Sequence, residues 1–358
     1  MSTTLSLSTV INPQPGWYGG DFHVHTNYSD GVLTPPQLAD LARAEGMDFL
    51  AITDHNTINA YPHFGQPSDL LIIPGIEVTL EEGHFNVFGL QNEADWVEQI
   101  QSTSVNWTGK LGGHYKTMNN IMQEAASAGL LNSINHPVLP PWAWLDDDTD
   151  LRHVHCIEIW NDPSWPDNQH ANPEAVQLWT ALLNAGYRIT AIGGSDFHRP
   201  QPRPGRNKPA ERLGFPRTYV YANHLSGEAI LAGLRQQRAY VSMGVKVDFQ
   251  IEINNTVYGI GDEIGPVSGK LYLKGTVLDT PPEGWYQVMK NGTVIRDDGM
   301  SARYPMLDGY DEVEATESAW YRFNVFNMEG QMLAVTNPIF IGPKPVPTLH
   351  KYGDFSNR

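Results

Sequence analysis

Along the first two thirds of this chain, short apolar runs end again and again in histidine or a carboxylate. That pattern limits the possible folds more than any other feature. Residues 20–25, 48–53, 70–80, 85–90, 131–135, 154–160 and 187–193 read as strands. Residues 34–46, 116–129 and 173–186 read as helices between them. Thr34-Pro35 is a good helix start, and Gly46, Gly129 and Gly186 are good stops. Alternation of strand and helix predicts an α/β domain with a parallel sheet or barrel. The link from Glu77 to Phe85 is too short for a helical crossover, so a regular eightfold barrel is not expected. A helix at 226–237 is expected to close this domain, which spans residues 20–245 after an N-terminal extension of residues 1–19.

Beyond residue 245 the pattern changes. Residues 247–253, 270–277, 286–290, 293–295, 320–327 and 331–335 read as antiparallel strands, with a hairpin turn at Lys290-Asn291-Gly292-Thr293. The expectation is a small all-β sandwich-like domain over 246–341 with no chemistry of its own. A loosely held tail at 342–358, rich in proline and polar residues, is expected to follow.

Parallel strands present functional residues at their carboxyl ends. His23 and His25 lie two apart on one strand face and can bind one ion, as can Asp196 and His198. Asp30, His55, Glu77 and His136 fall at or just after other strand ends. One such histidine is more often structural. Burying so many imidazoles and carboxylates without metal would be costly, so the set points to a metal centre.

His23-Val24-His25, Ser29-Asp30-Gly31, Thr53-Asp54-His55, Gly75-Ile76-Glu77, Asn135-His136-Pro137 and Ser195-Asp196-Phe197-His198 resemble, in order and spacing, the PHP (polymerase and histidinol phosphatase) superfamily. Gly83-His84-Phe85-Asn86-Val87 and Glu158-Ile159-Trp160-Asn161 look like its CehA/McbA-type branch, which includes carbaryl hydrolases. The resemblance implies a distorted (β/α)7 barrel with two to three divalent ions, Zn, Mn or Fe. It would place His23, His25, Glu77 and Asp196 on a first ion. Glu77, His136 and His84 would hold a second, with Asn86 or His114 as alternatives to His84. Asp30, His55 and His198 would hold a third, making the centre trinuclear.

Clustered divalent ions lower the pKa of a bridging water, which gives a hydrolase. His23, His25, Glu77, Asp196 and His198 are the residues expected to carry catalysis. The first reading of the substrate is a small phosphomonoester or phosphodiester. Residues 199–217 contain six of the 23 basic residues, and Arg199, Arg203, Arg206, Arg212 and Arg217 are the expected anion contacts. The alternative reading of this loop is a solvated face. Trp142 and Trp144 are expected at the substrate rim and favour a second reading, a carbamate, carboxyl ester or amide hydrolase using the same centre. A non-enzymatic metal-binding module is a remote third.

Composition narrows the partners. A net charge of −17 argues against general polynucleotide binding, so the expected partner is a small, anionic molecule. No apolar run of membrane-spanning length and no signal peptide is visible, so the expected location is cytoplasmic, or exported if a leader has been removed. Cys156 is the single cysteine and reads as a buried structural thiol rather than a nucleophile.

Overall fold

The computed structural model describes residues 6–65, 68–92, 94–101, 117–202, 209–278, 283–298 and 306–356. The first strands are β1 (Gly16–Asp21), β2 (Phe49–Ile52), β3 (Leu71–Leu80), β4 (Gly83–Phe88), β5 (Leu131–Ile134), β6 (Cys156–Asn161) and β7 (Thr190–Gly194). They form a curled sheet in that order and carry almost no exposed residue. Burial on both faces is why they read as continuous apolar runs. The helices are α1 (Pro35–Ala44), α2 (Asp95–Gln101), α3 (Met118–Ser127), α4 (Asn168–Asn184) and α5 (Gly227–Arg235). Helix α1 shows how locally these elements are specified. Pro35 and Pro36 pre-set its first turn, the Thr34 backbone N–H donates to Gln37 Oε1 at 3.0 Å, and Gly46 follows its end at φ +65°.

The fold is α/β, with a second, all-β sheet packed beyond the barrel. The sheet is not wholly parallel. Strands β1, β2 and β3 run parallel, as do β5, β6 and β7, but β4 is antiparallel to both its neighbours. The two-residue turn Glu81–Glu82 between β3 and β4 replaces a crossover helix, as the short link requires. Two further strands extend the sheet beside β1, namely β8 (Arg217–Ala222) and β9 (Ala239–Ser242), both antiparallel. At the opposite side, a parallel bridge between Val24 and Phe197 joins the segments that follow β1 and β7 and curls the sheet toward closure.

The C-terminal strands are β10 (Val247–Ile253), β11 (Thr256–Gly259), β12 (Glu263–Ile264), β13 (Gly269–Val277), β14 (Gly284–Lys290), β15 (Thr293–Asp297), β16 (Met306–Val313), β17 (Ala319–Asn327), β18 (Met332–Thr336) and β19 (Ile339–Ile341). Strands β11-β10-β13-β16 make one sheet. Its inner residues Phe249, Ile251, Leu271 and Leu273 pack on Tyr286, Val288, Phe323 and Val325 of the other. Alternating burial along β10 and β13 is the signature of a sheet covered on one face. The second layer of this sandwich is continuous with the barrel, because β18 pairs with β9 through Val335 and Val241. Asn337 welds the two further: its Oδ1 accepts from the Ala191 N–H at 2.8 Å, and its Nδ2 donates to the carbonyls of Ala191 and Ala239.

Two expectations about the chain's edges change. Strand β1 begins at Gly16, and residues just before it already belong to the barrel, with Ile11 donating to the Leu225 carbonyl. The tail is not loose. Tyr352 is buried, Lys351 pairs with Asp150 in a β-bridge, and Tyr187 Oη donates to the Leu349 carbonyl at 2.6 Å. Proline and polar composition signals the absence of regular structure, not the absence of packing.

Candidate metal centre

Most of the candidate ligands sit at or beyond a strand end. His23 and His25 follow β1, His55 follows β2, Glu77 lies within β3, His84 opens β4, His136 follows β5, and Asp196 and His198 follow β7. The parallel bridge between His55 and Glu77 brings the second and third into register. Glu77 is at the middle. It is fully buried, with His23 Nε2 at 3.2 Å, His84 Nδ1 at 3.2 Å, His55 Nδ1 at 2.8 Å and His136 Nε2 at 3.6 Å. Asp196 Oδ1 lies 3.0 Å from His25 Nε2 and 3.3 Å from His23 Nε2. Asp30 Oδ1 lies 3.0 Å from His198 Nε2 and 3.6 Å from His55 Nε2.

The donor atoms fall into four overlapping groups, each within 4.8 Å of one another: His25, Asp30, His55 and His198; His23, Glu77 and His136; His23, His25 and Asp196; His55, Glu77 and His84. His84 is therefore the fourth-strand residue that reaches the cluster. Asn86, on the same face, instead donates from Nδ2 to the Phe22 carbonyl at 3.1 Å. His114 lies outside the described residues. His63, His153, His155, His170 and His224 join none of these groups.

Several buried atoms in the cluster make no hydrogen bond: His23 Nε2, His25 Nδ1, Asp30 Oδ1, Glu77 Oε2, His84 Nδ1 and His136 Nδ1. Orphaned, converging nitrogen and oxygen donors are costly alone and suit divalent transition ions, so the residues fit the metal the motifs imply. Burial alone would neutralise Glu77, but the surrounding His23, His55 and His84 hold its pKa well below the usual range. Burial, with His198 and His55 nearby, lowers the pKa of His25 to about 3, and burial lowers that of His84 to about 4 despite Glu77. Despite their burial, His23, His55 and His198 are shifted the other way by the carboxylates of Asp196, Glu77 and Asp30, and would give up a proton on binding metal as neutral imidazoles.

Two candidate-ligand positions have left-handed backbones that non-glycine residues avoid: His136 at φ +29° and Asp196 at φ +48°. Such conformations cost on the order of 1–3 kcal/mol each and persist where surroundings over-determine them. At Asp196 the carbonyl accepts from His198 Nδ1 at 2.7 Å, which turns His198 Nε2 toward Asp30. At His136 the backbone N–H donates to Glu158 Oε2 at 2.9 Å.

Glu158 is the residue the sequence reading left out of the site. Its other oxygen, Oε1, accepts from His23 Nδ1 at 3.0 Å and leaves His23 Nε2 facing the cluster. The available signal was a lone carboxylate between Ile157 and Ile159 in an otherwise apolar strand. Thr79 Oγ1 contacts His55 Nδ1 at 2.6 Å, and Asn135 Nδ2 donates to Glu77 Oε1 at 2.9 Å. Asp54 accepts from Thr26 and Ser29 and so caps a turn rather than orienting a ligand. Gly194 is required by packing: a Cβ there would lie 2.4 Å from His23 Cβ.

The cluster opens into a cavity of about 290 Å³, also lined by Leu139, Trp142, Asn161, Asp162, Trp165 and Glu211. Trp142 and Trp165 meet edge to face, 5.2 Å between centroids. Trp144 does not join this rim. It is fully buried and its indole N–H donates to Thr149 Oγ1, because its loop turns it under the barrel rather than outward. Two of the arginines also fall elsewhere. Arg212 stacks on Phe215 at 3.7 Å, and Arg217 donates to the Glu45 and Gly46 carbonyls at the end of α1. Those carbonyls are the electronegative end of that helix and attract the guanidinium. Arg199 is half-buried beside the site, its backbone N–H on Glu211, and Arg203 and Arg206 lie outside the described residues.

Residues 21–138, which carry the candidate ligands from His23 to His136, match the family model for the PHP domain. Two curated relatives match parts of the chain. The DNA polymerase III PolC-type of Streptococcus mutans is 31% identical over 112 residues, covering 30% of this chain and 7% of that protein. The 5'-3' exoribonuclease Rnm of Salmonella typhimurium is 40% identical over 77 residues, covering 20% of this chain and 26% of that protein. This chain thus spans a small part of either relative. Among solved structures, a two-domain protein from Bacteroides vulgatus containing a predicted PHP-like metal-dependent phosphoesterase is similar at 19% identity, with a TM-score of 0.48 over 94% of this chain and 99% of that one.

Proposed function

We propose that this chain is a metal-dependent hydrolase of small phosphoesters, built on a centre of two to three divalent ions held by His23, His25, Asp30, His55, Glu77, His84, His136, Asp196 and His198. The observation that carries the reading is the convergence of these nine side chains at one cavity, with Glu77 shared between two of the donor groups. When bound, ions so clustered activate water at neutral pH and neutralise the oxygens of a transferring phosphoryl group. The protein's own part is to hold the donors still. Glu158 orients His23, Thr79 orients His55, and the Asp196 carbonyl orients His198. The cavity's volume suits a small molecule rather than a polynucleotide, although the PHP-type relatives include proteins named for polymerase and exoribonuclease activities.

A second reading is favoured by one observation. Among the described residues the cavity lining includes Trp142, Trp165 and Leu139 but no arginine or lysine. Such a wall suits the organic group of a carbamate, ester or amide, in keeping with the CehA/McbA-type motifs. The deciding experiment is to strip the protein with chelator, reload it with Zn, Mn or Fe, and assay p-nitrophenyl phosphate, a phosphodiester, a carboxyl ester and an aryl carbamate. Metal-dependent turnover of a phosphoester above the others supports the first reading. Preference for the carbamate or ester replaces it with the second, and failure to bind divalent metal overturns both.

A further inference from the structure

The tail packs against Trp144 and Pro137, which adjoin the two histidines proposed for the second ion. Trp144 is the link. On one side a Cβ on Gly83 would lie 3.0 Å from the Trp144 ring, and the Leu145 N–H donates to the Glu82 carbonyl at 2.6 Å. Gly83 adopts φ +132°, a conformation that leaves room for the indole directly before His84. On another side the Trp144 N–H donates to the Pro137 carbonyl at 2.9 Å, directly after His136. The buried Tyr352 completes this arrangement. Its ring meets Trp144 edge to face at 6.3 Å, and its hydroxyl donates to the same Pro137 carbonyl at 3.3 Å.

The tail is itself tied down along its length. Tyr352 N–H donates to the Thr149 carbonyl, Gly353 N–H to that of Asp147, and Lys351 Nζ lies 2.6 Å from Asp148 Oδ1. We infer that residues 349–355 form a strap that positions His84 and His136 through Trp144 and Pro137, making Tyr352 a positioning residue for the second ion. His136 has the left-handed φ of +29°, a conformation that persists only while the residues around it hold the backbone there. Two donors, the Trp144 backbone N–H and the Tyr352 hydroxyl, hold the Pro137 carbonyl one residue beyond it, and the second belongs to the strap. His25, Asp30, Asp196 and His198, proposed for the other ions, instead pair with one another.

This inference rests on the proposed metal centre. The test uses the full chain, stripped and then titrated with Mn2+ or Zn2+ by calorimetry, with elemental analysis of the loaded protein. Tyr352→Phe keeps the ring packing and removes only the hydroxyl bond, so it should fold as the wild type does. It should weaken one ion by about tenfold, at the low end of what the loss of a ligand-orienting partner costs, and leave the others unchanged. Tyr352→Ala should lose that ion's equivalent altogether. Wild-type stoichiometry and affinity in Tyr352→Phe would overturn the strap alone, as would an equal weakening of every ion. Absence of metal binding by the wild type would instead overturn the centre, and the strap with it.

Discussion

Glu158 Oε1 accepts a hydrogen bond of 3.0 Å from His23 Nδ1, while its Oε2 takes the backbone N–H of His136 at 2.9 Å. One buried carboxylate thereby fixes the imidazole of one candidate ligand and the backbone of another. Glu158→Gln should lower metal affinity by about 10–100-fold, the usual effect of removing a partner that orients a ligand histidine. Competitive chelation monitored by elemental analysis measures it. Unchanged affinity in a folded variant would show that His23 needs no such orientation.

Glu77 is shared by two donor groups and surrounded by five imidazoles, those of His23, His25, His55, His84 and His136. Glu77→Gln removes the charge and keeps the shape, so it should lose at least one ion and nearly all hydrolysis. Metal stoichiometry, activity and circular dichroism are read together. Full metal content with a native spectrum would remove Glu77 from the centre.

Arg212 and Arg217 are engaged with Phe215 and with the end of α1. Arg212→Ala and Arg217→Ala should leave kcat/KM for a phosphoester within about twofold, well short of the 1.5–3 kcal/mol expected of a lost bond to a charged substrate. Trp142→Ala should raise KM for substrates with a bulky organic group and spare those without one. A tenfold loss in either arginine variant would bring that residue back to the substrate.

Truncation after residue 245 should not leave a folded barrel. It would strip β18 from β9, remove Asn337 from Ala191 and Ala239, and expose Trp179, over which Arg322 stacks at 5.1 Å. The expected result is an insoluble or non-cooperatively melting fragment. A soluble fragment with a sharp thermal transition would show that the sandwich is dispensable.

Cys156 is fully buried, and burial pushes its thiol up to about 12. The pKa is raised, so thiolate is scarce until the pH approaches that value. At pH 8 roughly one molecule in ten thousand would carry it, against about a quarter for an ordinary thiol. Iodoacetamide should modify Cys156 only after denaturation. Rapid labelling of the native protein would mean that β6 opens readily.

The sequence alone determined the features that depend on neighbours along the chain. Strand and helix periods, the Thr34 and Gly46 boundaries of α1 and the absence of a helix between Glu77 and Phe85 were legible because each is set within a few residues. So was the placement of His23, His25, His55, His136, Asp196 and His198 just beyond strand ends, where a parallel sheet presents its functional residues. Tertiary structure decided what depends on distant partners. Glu158 reaches across 135 positions to His23, Asn337 across 146 to Ala191, and Tyr352 across 215 to Pro137. No local period records such contacts. The arginines that read as an anion-binding loop and the tryptophan that read as a rim share this origin. Whether Arg217 meets substrate or a helix end, and whether Trp144 faces solvent or the core, is set by the path of a loop, and that path is selected by the packing of the whole chain.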